Sequence, residues 1–150
     1  MDKDKEPQPW VRGITMRPLD NRGLYLTRQR EQGNESALET PVERKRRIVA
    51  YGLRSAGGQI DRTMESVRGM VTALDFEVVC ELSDVHAPHA PLDRHGWNEA
   101  RRLIQSGFAD GIAVLNREAI SVVDDEYEAE LRWLGERPAL LLLAIHEAAP

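Results

Sequence analysis

From residue 47 onward, apolar positions alternate between two regular patterns. Ile48-Val49-Ala50-Tyr51 is an unbroken apolar run ending at Gly52, which predicts a short buried strand. Ile60, Met64, Val67, Val71 and Leu74 then recur at spacings of 4, 3, 4 and 3, the signature of one helix face, with Asp61 placed to cap its start. Phe76 to Leu82 reads as a second strand. Trp97, Ala100, Leu103 and Ile104 mark a second helix face, and Gly107 is its expected stop. Gly111 to Leu115 predicts a third strand. Asp124 to Gly135 predicts a third helix, with Tyr127, Leu131 and Leu134 inward and Asp124, Asp125, Glu126 and Glu128 suiting the positive end of its dipole. After Pro138, Ala139 to Ile145 reads as a fourth buried strand.

Strands alternating with helices predict an α/β fold: a mainly parallel four-stranded sheet flanked by helices, of the flavodoxin-like kind. Ligand sites in such sheets lie at the carboxyl ends of the strands, so the loops 52–59, 83–96 and 116–123 matter most. Residues 1–46 follow neither pattern. Pro7, Pro9, Pro18 and Pro41 interrupt them, no period is sustained, and 27–40 reads as a solvated linker. The expected organisation is therefore an irregular N-terminal extension over 1–46, largely disordered, and one α/β domain over 47–150.

Charge narrows the function. The net charge of the 150 residues is −5. Residues 1–46 carry 10 Lys+Arg against 8 Asp+Glu, whereas 47–150 carry 10 arginines against 17 acids. A basic coat for nucleic acid is excluded, so any DNA contact would have to be a local patch. Arg44-Lys45-Arg46-Arg47 is the one short basic run; it suits phosphate, but equally a charged flank that keeps the next strand soluble. The single cysteine, Cys80, excludes an internal disulfide and alternates with Val78 and Leu82 as a core residue would. The N-terminus has no apolar signal region, and the longest apolar run, 139–145, is far too short to span a bilayer. A cytoplasmic protein without a membrane segment is expected.

The first loop, Gly52 to Gln59, offers Arg54, Ser55, Gly57, Gly58 and Gln59 just before a helix, where backbone amides favour an anion. It is neither a Walker loop nor the Gly-x-Gly-x-x-Gly fingerprint. Ser55 is a nucleophile candidate, although serines at such turns are usually structural. Arg94 and Arg117, at the ends of the second and third strands, could clamp a phosphate in forked geometry; paired arginines are otherwise common salt-bridge groups. His86, His89 and His95 with Asp84 and Asp93 resemble metal ligands only in composition, so no metal or other cofactor is expected.

On these residues the segment 47–146 resembles the catalytic domain of serine site-specific recombinases, the resolvase/invertase group. Tyr51, Ser55 and Gln59 match the spacing Tyr-x-Arg-x-Ser-x-x-x-Gln, Asp84 and Arg94-His95-Gly96 match an Asp followed by Arg-x-Gly, and Leu115-Asn116-Arg117 matches part of Leu-Asp-Arg-x-x-Arg. The resemblance implies a resolvase-like fold, with Ser55 attacking a DNA phosphodiester and Arg94 and Arg117 holding the scissile phosphate. The sequence departs from the pattern at Leu53, Asn116 and Ile120, where the family has Arg, Asp and Arg, and Ala87 stands near an expected serine. The match is expected to end at the fourth strand, without the family's long helix and DNA-binding domain.

Three functions follow. One is a degenerate, catalytically impaired recombinase-like domain that binds DNA weakly, through Arg94, Arg117 and the basic run, or binds another recombinase subunit. The second is an active recombinase working through a phosphoserine intermediate. The third is an unrelated flavodoxin-like interaction module.

Overall fold

The computed structural model describes residues 21–55, 60–85 and 89–147. Four strands, β1 (Arg47–Arg54), β2 (Glu77–Val85), β3 (Gly111–Val114) and β4 (Leu140–Leu143), form one sheet in the order β2-β1-β3-β4. Every pairing is parallel. Among the described residues four α-helices accompany them: α1 (Asn21–Glu39), α2 (Asp61–Ala73), α3 (His95–Gln105) and α4 (Asp124–Glu136).

The expected elements are present, with shifted ends. Gly52 does not stop β1; the strand runs on to Arg54 because β2 extends to Val85 and pairs with it residue for residue. Asp61 is the first residue of α2 and the cap position falls on Ile60, which has no side chain able to cap it. Gly107 is the stop expected of it: its φ of +82° is a glycine conformation, and Phe108 N–H reaches back to the Leu103 carbonyl at 3.0 Å.

The sheet separates two apolar layers. Val49, Tyr51, Ile112, Val114 and Leu141 pack with Trp97, Ala100 and Ile104 of α3 and Tyr127, Leu131 and Leu134 of α4. Ile48, Ala50, Ala113 and Leu140 pack on the other face with Met64, Val67 and Val71 of α2. One helix on one face and two on the other follow from the strand order, since β1 leads outward to β2 while β3 leads the opposite way to β4. The direction in which strands are added across the sheet therefore reverses at the β1/β3 boundary, and the carboxyl ends of those strands flank a topological switch point.

The expectation for residues 27–40 needs correction. They are not a solvated linker; 21–39 form the 19-residue helix α1, which lies over the edge strand β4. Leu26 enters the α3/α4 layer and Ala37 the α2 layer, so the helix crosses the sheet edge from one face to the other. The Asn34 side chain donates to the Leu141 carbonyl at 2.9 Å and accepts from the Leu141 N–H at 2.8 Å, supplying the edge strand with the partner it lacks. Arg30 forms a buried forked pair with Glu147, at 2.7 and 2.9 Å. The remaining ties are polar as well: Arg22 to Asp125 and Glu128, and Tyr25 to Glu128. Only two residues of α1 are fully buried, which is why no helical period shows in its sequence.

Candidate functional site

Ser55 follows directly on β1 at the switch point. It is exposed and makes no hydrogen bond among the described residues. Arg54, the last residue of β1, is also exposed, and its Nη2 donates to Ser83 Oγ at 3.2 Å. The phosphate-loop candidates Gly57, Gly58 and Gln59 lie outside the described residues, as do His86 and Ala87.

Beneath Ser55 the structure builds a polar knot that the sequence pattern did not assign. The buried Tyr51 hydroxyl donates to Asp84 Oδ2 at 2.7 Å. The same carboxylate accepts from the backbone N–H of Gly96 at 2.8 Å and of Trp97 at 3.0 Å. Asp84 thus caps α3 from a neighbouring strand, taking the place of a capping side chain at Arg94. Gly96 is required by this approach: a Cβ there would sit 2.7 Å from Asp84 Oδ2 and 2.8 Å from the Ser83 carbonyl. Burial, and then the Asp84 hydrogen bond, raise the Tyr51 hydroxyl far above the usual tyrosine range; neighbouring Arg94 offsets part of this.

Among the described residues, neither of the two arginines expected to hold a phosphate makes a hydrogen bond to Ser55. Arg94 is buried, with Nε and Nη2 donating to the His89 carbonyl at 3.2 and 3.1 Å and Nη1 to the Ala119 carbonyl at 2.8 Å. It staples the loop before α3 to the loop after β3. Arg117 donates to the Ser121 carbonyl at 3.1 Å and to Asp124 at 2.8 Å, with its guanidinium carbon 4.4 Å from the centroid of the Tyr127 ring. Its Nη2 is buried and has no partner among the described residues. Asn116 accepts from the Glu118 N–H and caps the short 3-10 turn that carries Arg117.

Leu53 packs against the α3/α4 layer, and Ile120 is fully buried within it. Apolar side chains occupy the places from which the family pattern would project guanidinium groups. Each remaining arginine instead satisfies nearby carbonyls or acids, as a buried cation must.

The basic run lies at the opposite, amino end of β1 and is spent internally. Arg44 pairs with Asp110 at 2.6 Å, Lys45 with Asp75 at 3.2 Å, and Arg46 donates to the Ala37 and Thr40 carbonyls that close α1. Arg47 lies over the Phe108 ring at 5.7 Å. His89, Asp93 and His95 are exposed, and no group of three potential metal ligands occurs among the described residues. No described helix is long and apolar enough to cross a membrane.

The fold defines a class, the doubly wound parallel α/β domain with its crevice between β1 and β3. Within that class the chain has the fold of the serine recombinase catalytic domain. It is similar to the C-terminal catalytic domain of ISC1926 TnpA, an IS607-like serine recombinase, at 19% identity and a TM-score of 0.55, covering 65% of this chain and 70% of that one. It is similar to the N-terminal catalytic domain of TP901-1 integrase, at 16% identity and a TM-score of 0.58, covering 66% and 77%. The first ORF of transposon ISC1904 from Sulfolobus solfataricus P2 superposes at 11% identity and a TM-score of 0.51, covering 64% and 65%. No family model matches the sequence, and no curated protein matches it.

Proposed function

We propose that this chain is a recombinase-fold binding domain that engages a protein partner, such as another recombinase subunit, without cutting DNA. The carrying observation is the commitment of both guanidinium groups. Attack of Ser55 Oγ on a phosphodiester would form a phosphoserine ester and expel a sugar oxygen, and the added charge on the phosphate needs cationic donors. Arg94 would have to surrender three hydrogen bonds to supply them, and Arg117 an ion pair and its seat on Tyr127. Leu53 and Ile120 offer none.

A protein partner is favoured over duplex DNA because the basic run is already paired. The loops at the carboxyl edge also carry exposed apolar side chains, Val85, Leu92, Val122 and Val123. The active-recombinase reading draws on one observation, the exposed hydroxyl of Ser55, which has no hydrogen-bond partner among the described residues. Incubation with supercoiled plasmid, quenched in detergent to trap covalent protein–DNA adducts, separates the two. The expected result is no adduct and no nicking, with the natural chain and Ser55→Ala alike. Nicking that disappears in Ser55→Ala would refute the proposal.

A further inference from the structure

Away from the switch point, α3 and α4 present a second cleft on their outer surface. It measures about 330 Å³ and is lined by Asn98, Arg101, Arg102, Gln105, Ser106 and Trp133. The volume lies at the lower end of the range for small-ligand pockets. Its walls are rich in donors. Arg101 is held firmly: its Nη1 donates to both oxygens of the buried Glu130, at 3.0 and 3.1 Å, and its guanidinium carbon lies 4.0 Å from the Trp133 ring centroid. Glu130 is itself fixed by the Trp97 indole N–H at 2.7 Å. The Nε and Nη2 of Arg101 have no acceptor among the described residues.

Arg102, 65% exposed, pairs with Glu99 through Nε and Nη2 and keeps Nη1 unused. The Trp133 indole N–H and the Gln105 amide likewise have no partner among the described residues. Arg137 packs against Trp133 at 3.6 Å and steadies the ring. No carboxylate lines this cleft, in a chain of net charge −5. The cleft at the carboxyl ends of β3 and β4 contains Glu118 and Glu147, and the one at the amino end of the sheet contains Asp110.

We propose that the α3/α4 cleft binds a phosphate group, with Arg101 and Arg102 as the charged donors and Gln105 and Trp133 as neutral ones. A guanidinium fixed in place beside a second, more exposed one suits the several acceptor oxygens of a phosphate ester. The phosphate could belong to a free nucleotide or to one residue of a nucleic-acid strand. The site is independent of Ser55 and of whether the domain cuts DNA.

Isothermal titration of the full chain at low ionic strength with inorganic phosphate, adenosine monophosphate and a short single-stranded oligonucleotide tests this. Arg102→Gln removes a donor, and Gln105→Glu places a carboxylate in the cleft. Binding that weakens about tenfold or more in each variant, with unchanged melting temperature, is the expected result. If the mononucleotide shows it, the ligand is a free phosphate ester; if only the oligonucleotide does, the phosphate is that of a strand. No binding of any probe, or binding indifferent to both substitutions, would overturn the assignment.

Discussion

Removing the Asp84 carboxylate should cost more than removing any other single side chain near Ser55. Asp84→Ala deprives the Gly96 and Trp97 amides of their acceptor and leaves the buried Tyr51 hydroxyl without one. Hydrogen bonds to a charged group contribute about 1.5–3 kcal/mol each, and a lost cap about 1. Water can reach the start of the helix and recover part of this, so the expected net loss is about 3–4 kcal/mol. For a chain of this size that corresponds to a fall in melting temperature of roughly 10 °C.

Asp84→Asn keeps the shape but turns one acceptor into a donor facing an N–H or the hydroxyl, and should cost about 1–2 kcal/mol. Tyr51→Phe loses one bond while the carboxylate keeps two, at about 1 kcal/mol. Because the Tyr51 bond is already lost in Asp84→Ala, the double variant should fall short of additivity by about 1 kcal/mol. Urea unfolding followed by circular dichroism measures all four corners of this cycle. A cost below about 1 kcal/mol for Asp84→Ala, or a strictly additive cycle, would show that the knot does not hold α3 in place.

The other expectations follow from neighbouring contacts. Gly96→Ala should destabilise by about 2 kcal/mol or more, because its Cβ meets strand backbone as well as Asp84, and urea midpoints check it. Arg30→Met should cost about 3 kcal/mol by leaving the Glu147 carboxylate buried without its cation, whereas Arg30→Met with Glu147→Leu should recover much of that; a single variant as stable as the natural chain would remove α1 from the fold's supports. Burial pushes Glu147 up, but its bonds to Arg30 and Tyr127 outweigh this and hold it below the usual carboxylate range. The stability it contributes is therefore present above about pH 4.3 and lost as the pH falls further, a slope absent in Glu147→Gln. Tyr51 and Tyr127 are both raised, chiefly by burial, so stability is complete below about pH 10 and declines above it as the unfolded chain ionises first; the double Phe variant should flatten that decline in urea midpoints taken on either side of this pH.

The order of strands and helices from residue 47 onward and most of their inward faces were legible in the sequence; Leu74, expected on the α2 face, is exposed just past the helix end. Periodicity is a local property, and each strand or helix must bury its own apolar face whatever its neighbours. The Arg-x-Gly segment was legible too, though not its reason, which is the approach of the Asp84 carboxylate to the start of α3. Helix α1 was not legible. Its stability comes from Arg30, Asn34 and Tyr25, whose partners lie more than a hundred residues away and leave no period in the chain.

Nor could spacing alone reveal what Arg94 and Arg117 do. Sequence placed both at the ends of the right strands. Only the packed structure decided that their guanidinium groups turn to the His89, Ala119 and Ser121 carbonyls and to Asp124. A long side chain can reach several acceptors from one backbone position. Which of them it takes depends on the acceptors that packing brings within reach, and a buried cation is costly unless it finds them.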